Sequence, residues 1–416
     1  MSTQISTTKD FLQGALQKCL QDSVEIGVPG LTAAVASSQG LLWAGTAGLA
    51  NIEGRKPFTS DHVSGIGSIT KVFMSVVILQ LIDEKRLNLN DTLEQYVSAE
   101  LLRGIPHASG ATISQLLRHT SGIPSWEDDP RWIREGRGSE LDPDKIWTST
   151  ETLDYIRYES NPNLHAPDPK PTPGNYSYAN TNFTFLGLIA EAIYSTDVSP
   201  EIDMPVGHSR VGAAALIRSR VLEPLGLNYT YLEGFEMPQA GEIPSRYHWV
   251  TPTFLSTAGA CPSFPNPKSR PDLLNASISN MSTEWVAGGN LSHPKDLCTL
   301  ALAIRNAKIL SSSSQKIMLD LIPIRPSIWV GHGIFKMQTS DGQGWFGHNG
   351  STLGFNGSMF WNEEMDVAVA ILGNVGTMHA GKVPGAASVA VEGEFLGLAL
   401  KLARLSAGEK SSNFPK

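Results

Sequence analysis

The fold of this chain is decided by the stretch Gly65-Ile66-Gly67-Ser68-Ile69-Thr70-Lys71-Val72-Phe73. Apolar residues follow between positions 76 and 82, and their spacing predicts a buried amphipathic helix that ends near Lys85. The two glycines precede it, where a tight turn into a helix needs freedom in φ. Ser68 is therefore predicted to lie at or just inside the helix N-terminus, where free backbone N–H groups favour developing negative charge.

Ser68 and Lys71 are three residues apart, so a helix places their side chains on one face. A serine hydroxyl is a weak nucleophile until a neighbouring group takes its proton, and a buried lysine with a lowered pKa can do so. The alternative is a serine that caps the helix beside a solvated lysine. The same S-x-x-K spacing recurs at Ser292–Lys295 and Ser313–Lys316, but those serines lack the glycines and the apolar helix.

Length and composition restrict the class of protein. The chain has 416 residues, 41% of them hydrophobic, which predicts two domains or one bilobed unit. Its formal net charge of -8 argues against a nucleic-acid or anionic-membrane partner, and no apolar run reaches the ~20 residues of a membrane span. The first nine residues lack the apolar core of a secretion signal, and the three cysteines form no C-x-x-C pair. These features predict a reduced, cytoplasmic protein and imply no metal or cofactor.

Periodicity predicts strands at both ends of the chain and a helical, loop-rich middle. Strands are predicted at 31–36, 41–47, 333–338, 357–362 and 366–372, and helices at 9–26, 68–85, 112–119, 181–194, 212–222, 295–306, 315–321 and 389–405. Segment 124–175 is predicted to be an irregular surface region at the mouth of a substrate site. One sheet built from both chain ends satisfies this pattern, with an α/β lobe at about 1–66 and 285–416 and a helical lobe at about 67–284.

Two further patterns follow Ser68 in order. The first is Pro173-Gly174-Asn175-Tyr176-Ser177-Tyr178-Ala179-Asn180 before an apolar helix, and the second is Gly347-His348-Asn349-Gly350-Ser351 before a strand-like run. With them the chain resembles the serine β-lactamase-like family: class C β-lactamases, D,D-carboxypeptidases, D-aminopeptidases, family VIII carboxylesterases and acyltransferases of the lovastatin-synthase type. The resemblance covers about residues 10–375. It implies one catalytic domain of the β-lactamase/transpeptidase-like α/β fold, with an antiparallel sheet and a helical lobe.

The sequence departs from the family pattern in three places. Ala179 stands where serine is common, and the spacing from Pro-Gly to the tyrosine is one residue short. Tyr176 is therefore a rival catalytic tyrosine, although Asn180 two residues later favours Tyr178. His348 replaces the lysine of Lys-Thr-Gly, which in β-lactamases helps to bind the substrate carboxylate. This change favours a neutral ester or amide substrate over a β-lactam.

The resemblance implies that Ser68 attacks a carbonyl and becomes acylated. Lys71 and Tyr178 would share the work of the general base, with the ammonium making a tyrosinate accessible nearer neutral pH. The backbone N–H groups of Ser68 and Ser351, the latter next to Gly350, would form the oxyanion hole. The alternative for Tyr178 is a core tyrosine with a bonded hydroxyl.

Other motif residues have both a functional and a structural interpretation. Asn180 would hold the lysine or the substrate carbonyl, or cap the following helix. His348 would orient the substrate or tune Tyr178, or bond to the backbone at a strand edge. His119, in an Arg-His-Thr-Ser-Gly helix end, is given a structural role. The candidates for an apolar acyl pocket are Trp126, Trp345 and Phe355.

The sequence thus favours a serine hydrolase with an acyl-enzyme at Ser68, acting as a carboxylesterase on small-molecule esters. The alternatives are an acyltransferase to a metabolite alcohol, a D-amino-acid amidase or peptidase, a weak β-lactamase and, last, a non-catalytic binding protein on the same fold. The stretch Gly207–Gly212 falls short of G-x-S-x-G, and no H-E-x-x-H is present. The expected partner is a small ester or amide, and oligomeric state has no sequence signal.

Overall fold

The strands from the two ends of the chain meet in one sheet. The computed structural model describes residues 2–409 except 162, 163, 165–169, 196–211 and 239. Its strands are β1 (Gly30–Ser37), β2 (Gly40–Asn51), β3 (Lys56–Pro57), β4 (Ser64–Gly65), β5 (Tyr231–Leu232), β6 (Tyr247–Trp249), β7 (Leu273–Asn275), β8 (Asn290–Ser292), β9 (Ile322–Arg325), β10 (Ile328–Val330), β11 (Phe335–Gln338), β12 (Gly344–Ser351), β13 (Asn356–Asn362), β14 (Ala368–Gly373) and β15 (Val375–Gly376).

Within the described residues, the large sheet has nine antiparallel strands in the order β3-β2-β1-β14-β13-β12-β11-β10-β9. The early hairpin therefore joins the late strands through β1 and β14, where Ala33 lies opposite Ile371. Two three-stranded sheets, β15-β6-β7 and β4-β8-β5, lie beside it. The predicted α/β fold with an antiparallel sheet from both chain ends is confirmed.

Helices cover the large sheet and occupy the middle of the chain. They are α1 (Ser2–Glu25), α2 (Thr70–Asp83), α3 (Ala99–Leu102), α4 (Ile113–Leu117), α5 (Pro130–Arg137), α6 (Asn180–Ser195), α7 (Ala213–Ile217), α8 (Glu223–Leu225), α9 (Pro252–Thr257), α10 (Trp285–Gly288), α11 (Pro294–Arg305), α12 (Ser312–Met318) and α13 (Phe395–Ser406). Helices α1, α11 and α13 pack on the sheet, and β1 and β14 are buried along nearly their whole length. Among the described residues, no helix has the length and apolar character to cross a membrane.

Helix α2 runs through the core. Ser68 lies in the 3-10 turn Gly67–Ile69 just before it, and every residue from Thr70 to Leu79 is buried. Helices α6, α7, α10 and α12 all contact α2. The helix is therefore buried on every side over Thr70–Leu79 instead of exposing a polar face as an amphipathic helix would, and this burial removes water from around Lys71.

Segment 124–175 differs from its prediction. Its described part contains the 3-10 turns Trp126–Asp128 and Glu151–Ile156 as well as α5. Trp126 and Trp132 are fully buried, with ring centroids 4.5 Å apart. The prediction of an irregular surface region is wrong for these residues, because short elements bury their aromatic side chains without producing a readable period.

Candidate active site

Ser68 and Lys71 face each other across the start of α2. The Lys71 Nζ lies 3.0 Å from the Ser68 Oγ. The 3-10 turn that carries Ser68 requires the left-handed φ of +51° at Gly67. The side-chain separation is within hydrogen-bond distance, as the shared helix face predicts.

Lys71 has two further partners, and both can only accept a hydrogen bond. Its Nζ donates to Asn180 Oδ1 and to the carbonyl oxygen of Ala287, each at 2.6 Å. The side chain is fully buried. Burial lowers the pKa of Lys71 to about 7, although Glu127 and Glu284 oppose this decrease. A substantial fraction of Lys71 is therefore a neutral amine near neutral pH.

Tyr178 reaches Ser68 from the segment just before α6. Its hydroxyl donates to Ser68 Oγ at 2.7 Å. Burial raises the pKa of Tyr178 well above its ordinary value, and the Lys71 Nζ lies over its ring, 5.1 Å from the centroid, instead of beside the hydroxyl. This direction opposes the predicted tyrosinate, because burial disfavours the ionised phenol. The rival, Tyr176, lies in the cavity wall and packs edge-on against Phe335.

His119 orients the ring of Tyr178. The two rings stack with centroids 4.3 Å apart, and the buried imidazole accepts from the backbone N–H of Ala179 at 3.2 Å. His119 has a φ of +55° and ends α4 in a Schellman motif, in which the N–H of Thr120 bonds to the carbonyl of Gln115. The structural role predicted for His119 therefore also affects the functional site, because its ring positions that of Tyr178. Burial lowers the pKa of His119 well below its ordinary value, so the ring is neutral.

A buried ionic cluster contacts the Asn180 side chain, and no sequence pattern predicts it. We call it the Arg137 cluster; it consists of Glu127, Arg137 and Glu284. The Arg137 Nη2 lies 3.1 Å from Glu127 Oε1 and 2.5 Å from Glu284 Oε1. Asn180 Nδ2 donates to Glu127 Oε2 while Asn180 Oδ1 accepts from Lys71. The Asn180 amide thus connects the lysine to the cluster.

Strand β12 passes close to the Ser68 turn. A Cβ at Gly350 would lie 1.9 Å from the carbonyl oxygen of Ile66 and 2.8 Å from the backbone N of Ser68. A Cβ at Gly67 would lie 2.5 Å from the backbone N of Ser351. Only glycine fits at such approaches. The geometry brings the two backbone N–H groups of the predicted oxyanion hole to the same place.

His348 lies next to these groups on β12 and is buried. Its Nδ1 faces the carbonyl of Asn349, and its ring packs edge-on against Phe335 with centroids 5.0 Å apart. Burial lowers the pKa of His348 to about 3, and Lys71 adds to this decrease. His348 therefore supplies no positive charge near pH 7 where the family pattern has a lysine.

Ser68 opens into a cavity of about 740 Å³. One wall, which we call the strand wall, comes from β9 to β11 and consists of Ile324, Ile328, Phe335 and Met337. A second wall, which we call the loop wall, comes from the segment after β15 that includes the helical turn Ser388–Glu392, and consists of Met378, Val383, Ala387 and Val391. These side chains are apolar and favour an apolar substrate group, although Arg325 and Glu392 line the cavity from the same two segments.

The three aromatic residues predicted for the acyl pocket do not line this cavity. Trp126 donates to Thr184 in the core, Trp345 is buried in β12, and Phe355 packs with Met281 and Leu291 in a separate cluster. The prediction is wrong for all three, because aromatic residues near a motif are more often core than pocket. The walls come instead from segments without a motif.

The charged groups of the cavity include Asp128 and Arg325. Among the described residues, neither side chain has an ion-pair partner within 4.0 Å. No cluster of three or more His, Cys, Asp or Glu side chains in the described part of the chain could hold a metal ion.

Comparison with known proteins agrees with the fold and with the geometry of the site around Ser68. The family model "Beta-lactamase" matches residues 16–391. The chain therefore belongs to the beta-lactamase family of serine hydrolases.

Curated relatives match only in part. Protein flp of Staphylococcus aureus (strain COL) is 32% identical over 130 residues, 31% of this chain and 22% of the relative. Penicillin-binding protein 4* of Bacillus subtilis is 24% identical over 180 residues, 42% of this chain and 36% of the relative.

Solved structures resemble this chain over most of its length. A D-stereospecific amidohydrolase from Streptomyces sp. has a TM-score of 0.70 and 25% identity, covering 89% of this chain and 96% of that one. A D-amino acid amidase from Ochrobactrum anthropi SV3, complexed with D-phenylalanine, has a TM-score of 0.73 and 21% identity, covering 95% and 99%. A penicillin-binding protein homologue from Pyrococcus abyssi has a TM-score of 0.65 and 23% identity, covering 96% and 78%.

Proposed function

We propose that this protein is a carboxylesterase that hydrolyses small, apolar esters through an acyl-enzyme at Ser68. The observation that carries the proposal is the contact of Ser68 Oγ with both Lys71 Nζ (3.0 Å) and Tyr178 Oη (2.7 Å) at the base of an apolar cavity. A serine that touches a lysine of lowered pKa is an activated nucleophile.

Lys71 acts as the base in this proposal because its other two hydrogen-bond partners leave its lone pair directed at Ser68. A neutral amine has two hydrogens and one lone pair. Asn180 Oδ1 and the Ala287 carbonyl take the two hydrogens, so the lone pair points to Ser68 Oγ. The Ser68 proton then moves to Nζ as the Oγ–C bond forms, and the ammonium returns it to the departing alcohol. Water attacks the acyl-enzyme by the same route.

Tyr178 stays protonated throughout the proposed reaction. Its phenol donates to Ser68 Oγ and holds that oxygen in position for the lysine. The backbone N–H groups of Ser68 and Ser351 stabilise the oxyanion, and each such donor is worth ~3 kcal/mol. The close approaches at Gly67 and Gly350 support this role.

An ester is favoured over a β-lactam by the charge of the site. The low pKa of His348 leaves the position of the family lysine without a positive charge. The apolar strand wall and loop wall leave room for an acyl chain of several carbons in about 740 Å³. Passing the acyl group to an alcohol instead of water would use the same acyl-enzyme.

A D-amino-acid amide is the second candidate substrate. The Asp128 carboxylate lines the cavity without a cationic partner within 4.0 Å among the described residues, and a substrate ammonium would provide one. The 25% identity to the Streptomyces D-stereospecific amidohydrolase supports this candidate. It requires that Asp128→Asn lowers turnover of D-phenylalanine amide and leaves turnover of uncharged esters unchanged.

The test begins with the intact mass of the protein after incubation with a fluorophosphonate. We expect one adduct on the wild type and none on Ser68→Ala. A wild type without an adduct, or an adduct that survives in Ser68→Ala, would overturn the proposal. p-Nitrophenyl acetate, butyrate and octanoate are then compared with D-phenylalanine amide. Faster turnover of the esters supports the carboxylesterase, and faster turnover of the amide supports the second candidate.

A further inference from the structure

The Arg137 cluster has a high free-energy cost of burial in the core. Arg137, Glu127 and Glu284 are all buried, and Arg137 makes its two ion pairs through Nη2 alone. The Arg137 Nε and Nη1 are buried without a hydrogen-bond partner in the described residues. Buried ion pairs rarely repay their desolvation cost, and unsatisfied N–H groups add to it. Stability is therefore a poor explanation of this arrangement.

The cluster carries an excess negative charge. It has two acidic side chains and one guanidinium, and each oxygen of Glu127 faces an N–H group: the Arg137 Nη2 lies 3.1 Å from Oε1, and Asn180 Nδ2 donates to Oε2. Burial raises the pKa of Glu127, while Arg137 and Lys71 oppose this increase, and the two facing N–H donors favour the ionised form of the carboxyl group. Two glutamates and one arginine give the Arg137 cluster a formal net charge of one negative unit.

The other titratable groups around Lys71 are neutral. His119 and His348 both have a pKa lowered mainly by burial, and Tyr178 has a pKa raised mainly by burial. These groups come from the end of α4, from β12 and from the segment before α6. The Arg137 cluster, from the turns before α5 and α10 and from α5 itself, therefore supplies the ionic field at Lys71 among the described residues.

We propose that the Arg137 cluster stabilises the ammonium that Lys71 becomes when it takes the proton of Ser68. The inference rests on the proposed function. In this step the Oγ–H bond of Ser68 breaks, the proton binds Lys71 Nζ, and the electron pair of Oγ forms the bond to the substrate carbonyl carbon. The new positive charge then balances the net negative charge of the cluster, and the burial that raises Coulomb energies makes this balance strong.

Asn180 transmits the effect. Its amide accepts from Lys71 at Oδ1 and donates to Glu127 at Nδ2, so the chain runs from amine to amide to carboxylate. A growing charge on Nζ polarises the amide toward the carboxylate, and linked hydrogen bonds strengthen one another. Glu127, Arg137 and Glu284 are thus positioning residues that act through Lys71.

The test compares pH profiles of p-nitrophenyl butyrate hydrolysis. Glu284→Gln keeps the side-chain volume and removes one negative charge, so the acid limb of kcat/KM moves to lower pH by about 1 unit, and the limiting rate falls because the base is weaker. Arg137→Gln removes the positive charge, so the limb moves to higher pH. Opposite displacements by two changes in one cluster are expected only of an electrostatic role.

Glu135→Gln is the matched control. It removes one negative charge from α5, the helix of Arg137, but Glu135 lies outside the cluster and accepts a hydrogen bond from the Tyr155 hydroxyl, so its profile is expected to match the wild type. If Arg137→Gln fails to fold, Glu127→Gln replaces it with a displacement in the Glu284→Gln direction. Loss of rate without displacement in the folded cluster variants would overturn the inference. A wild type that a fluorophosphonate does not label would overturn the proposed function instead.

Discussion

The Ser68 centre (Ser68, Lys71, Tyr178 and Asn180) and the two cavity walls are built in different ways. The centre is held by hydrogen bonds of 2.6–3.0 Å between side chains that leave few alternatives. The walls present apolar side chains from the edge of the sheet and from a segment after β15. Proton transfer tolerates little displacement, whereas an apolar wall needs only the right volume. The proposed function therefore assigns the reaction to the centre and the choice of substrate to the walls.

The loop wall is nonetheless anchored. His248 Nε2 contacts the carbonyl of Met378 at 2.9 Å, Trp249 donates to the carbonyl of Pro384 at 3.1 Å, and Thr251 donates to that of Ala380 at 2.9 Å. All three come from β6 and the residues just after it. Side chains of this wall can therefore be exchanged without releasing its backbone.

The largest expected effect is at Lys71. Lys71→Met keeps the buried chain but removes the base, so kcat/KM for p-nitrophenyl butyrate is expected to fall about a thousandfold. Stopped-flow release of p-nitrophenol measures it, and a thermal melt confirms the fold. A rate within tenfold of the wild type would show that another group takes the proton.

Gly350→Ala comes next. The added methyl would lie 1.9 Å from the Ile66 carbonyl oxygen, so the two backbone N–H donors must separate. One such donor is worth about a hundredfold in kcat, which is the expected loss. Gly110→Ala, whose added methyl meets nothing within 4 Å, is the control and should retain full activity. Equal activity of both variants would exclude the predicted oxyanion hole.

The effect of pH on kcat/KM of the wild type is expected to be smaller over the pH range that can be measured. Only neutral Lys71 accepts a proton, and its pKa is about 7. We expect kcat/KM to rise about tenfold per pH unit below that value and to level off above it. The raised pKa of Tyr178 predicts no further limb from its ionisation below pH 10. A limb centred near 10 would return the base role to the tyrosine.

The smallest effect is expected at the walls. Ile328→Ala and Val391→Ala should each lower kcat/KM for the octanoate ester about tenfold and leave the acetate ester nearly unchanged, because an apolar contact is worth 1–3 kcal/mol. Ile243→Ala, an exposed residue outside the cavity, is the control. If both esters lose activity equally, these residues support the Ser68 centre instead of selecting the substrate.

The same contrast explains what the sequence could predict. Short motifs predict the residues of the Ser68 centre, namely Ser68, Lys71, Tyr178 and Asn180. The periodicity of apolar residues predicts the long helices and the early hairpin of β1 and β2. Strand β9 contains Pro323, and β12 contains three glycines, so neither resembles a typical strand. The site residues in those strands were therefore found by motif, and the wall residues were not found.

The Arg137 cluster was missed for a different reason. Its members lie in three separate short elements, and a lone Glu or Arg normally indicates a solvated surface. One available signal was the density of tryptophan around Glu127 and Arg137, which indicates that the segment is buried. The sequence patterns predict instead a pocket position for Trp126 and an irregular surface segment for Trp132.

The approach of Gly67 to Gly350 also concerns the order of events during synthesis. The two oxyanion donors are brought together from early and late parts of the chain, so a ribosome-bound chain has Ser68 long before it has β12. Contacts of such sequence separation form late in folding. Reactivity of Ser68 that depends on both donors therefore appears only after β12 has joined the sheet, and labelling of Ser68 by a fluorophosphonate during refolding would mark the moment when the sheet closes.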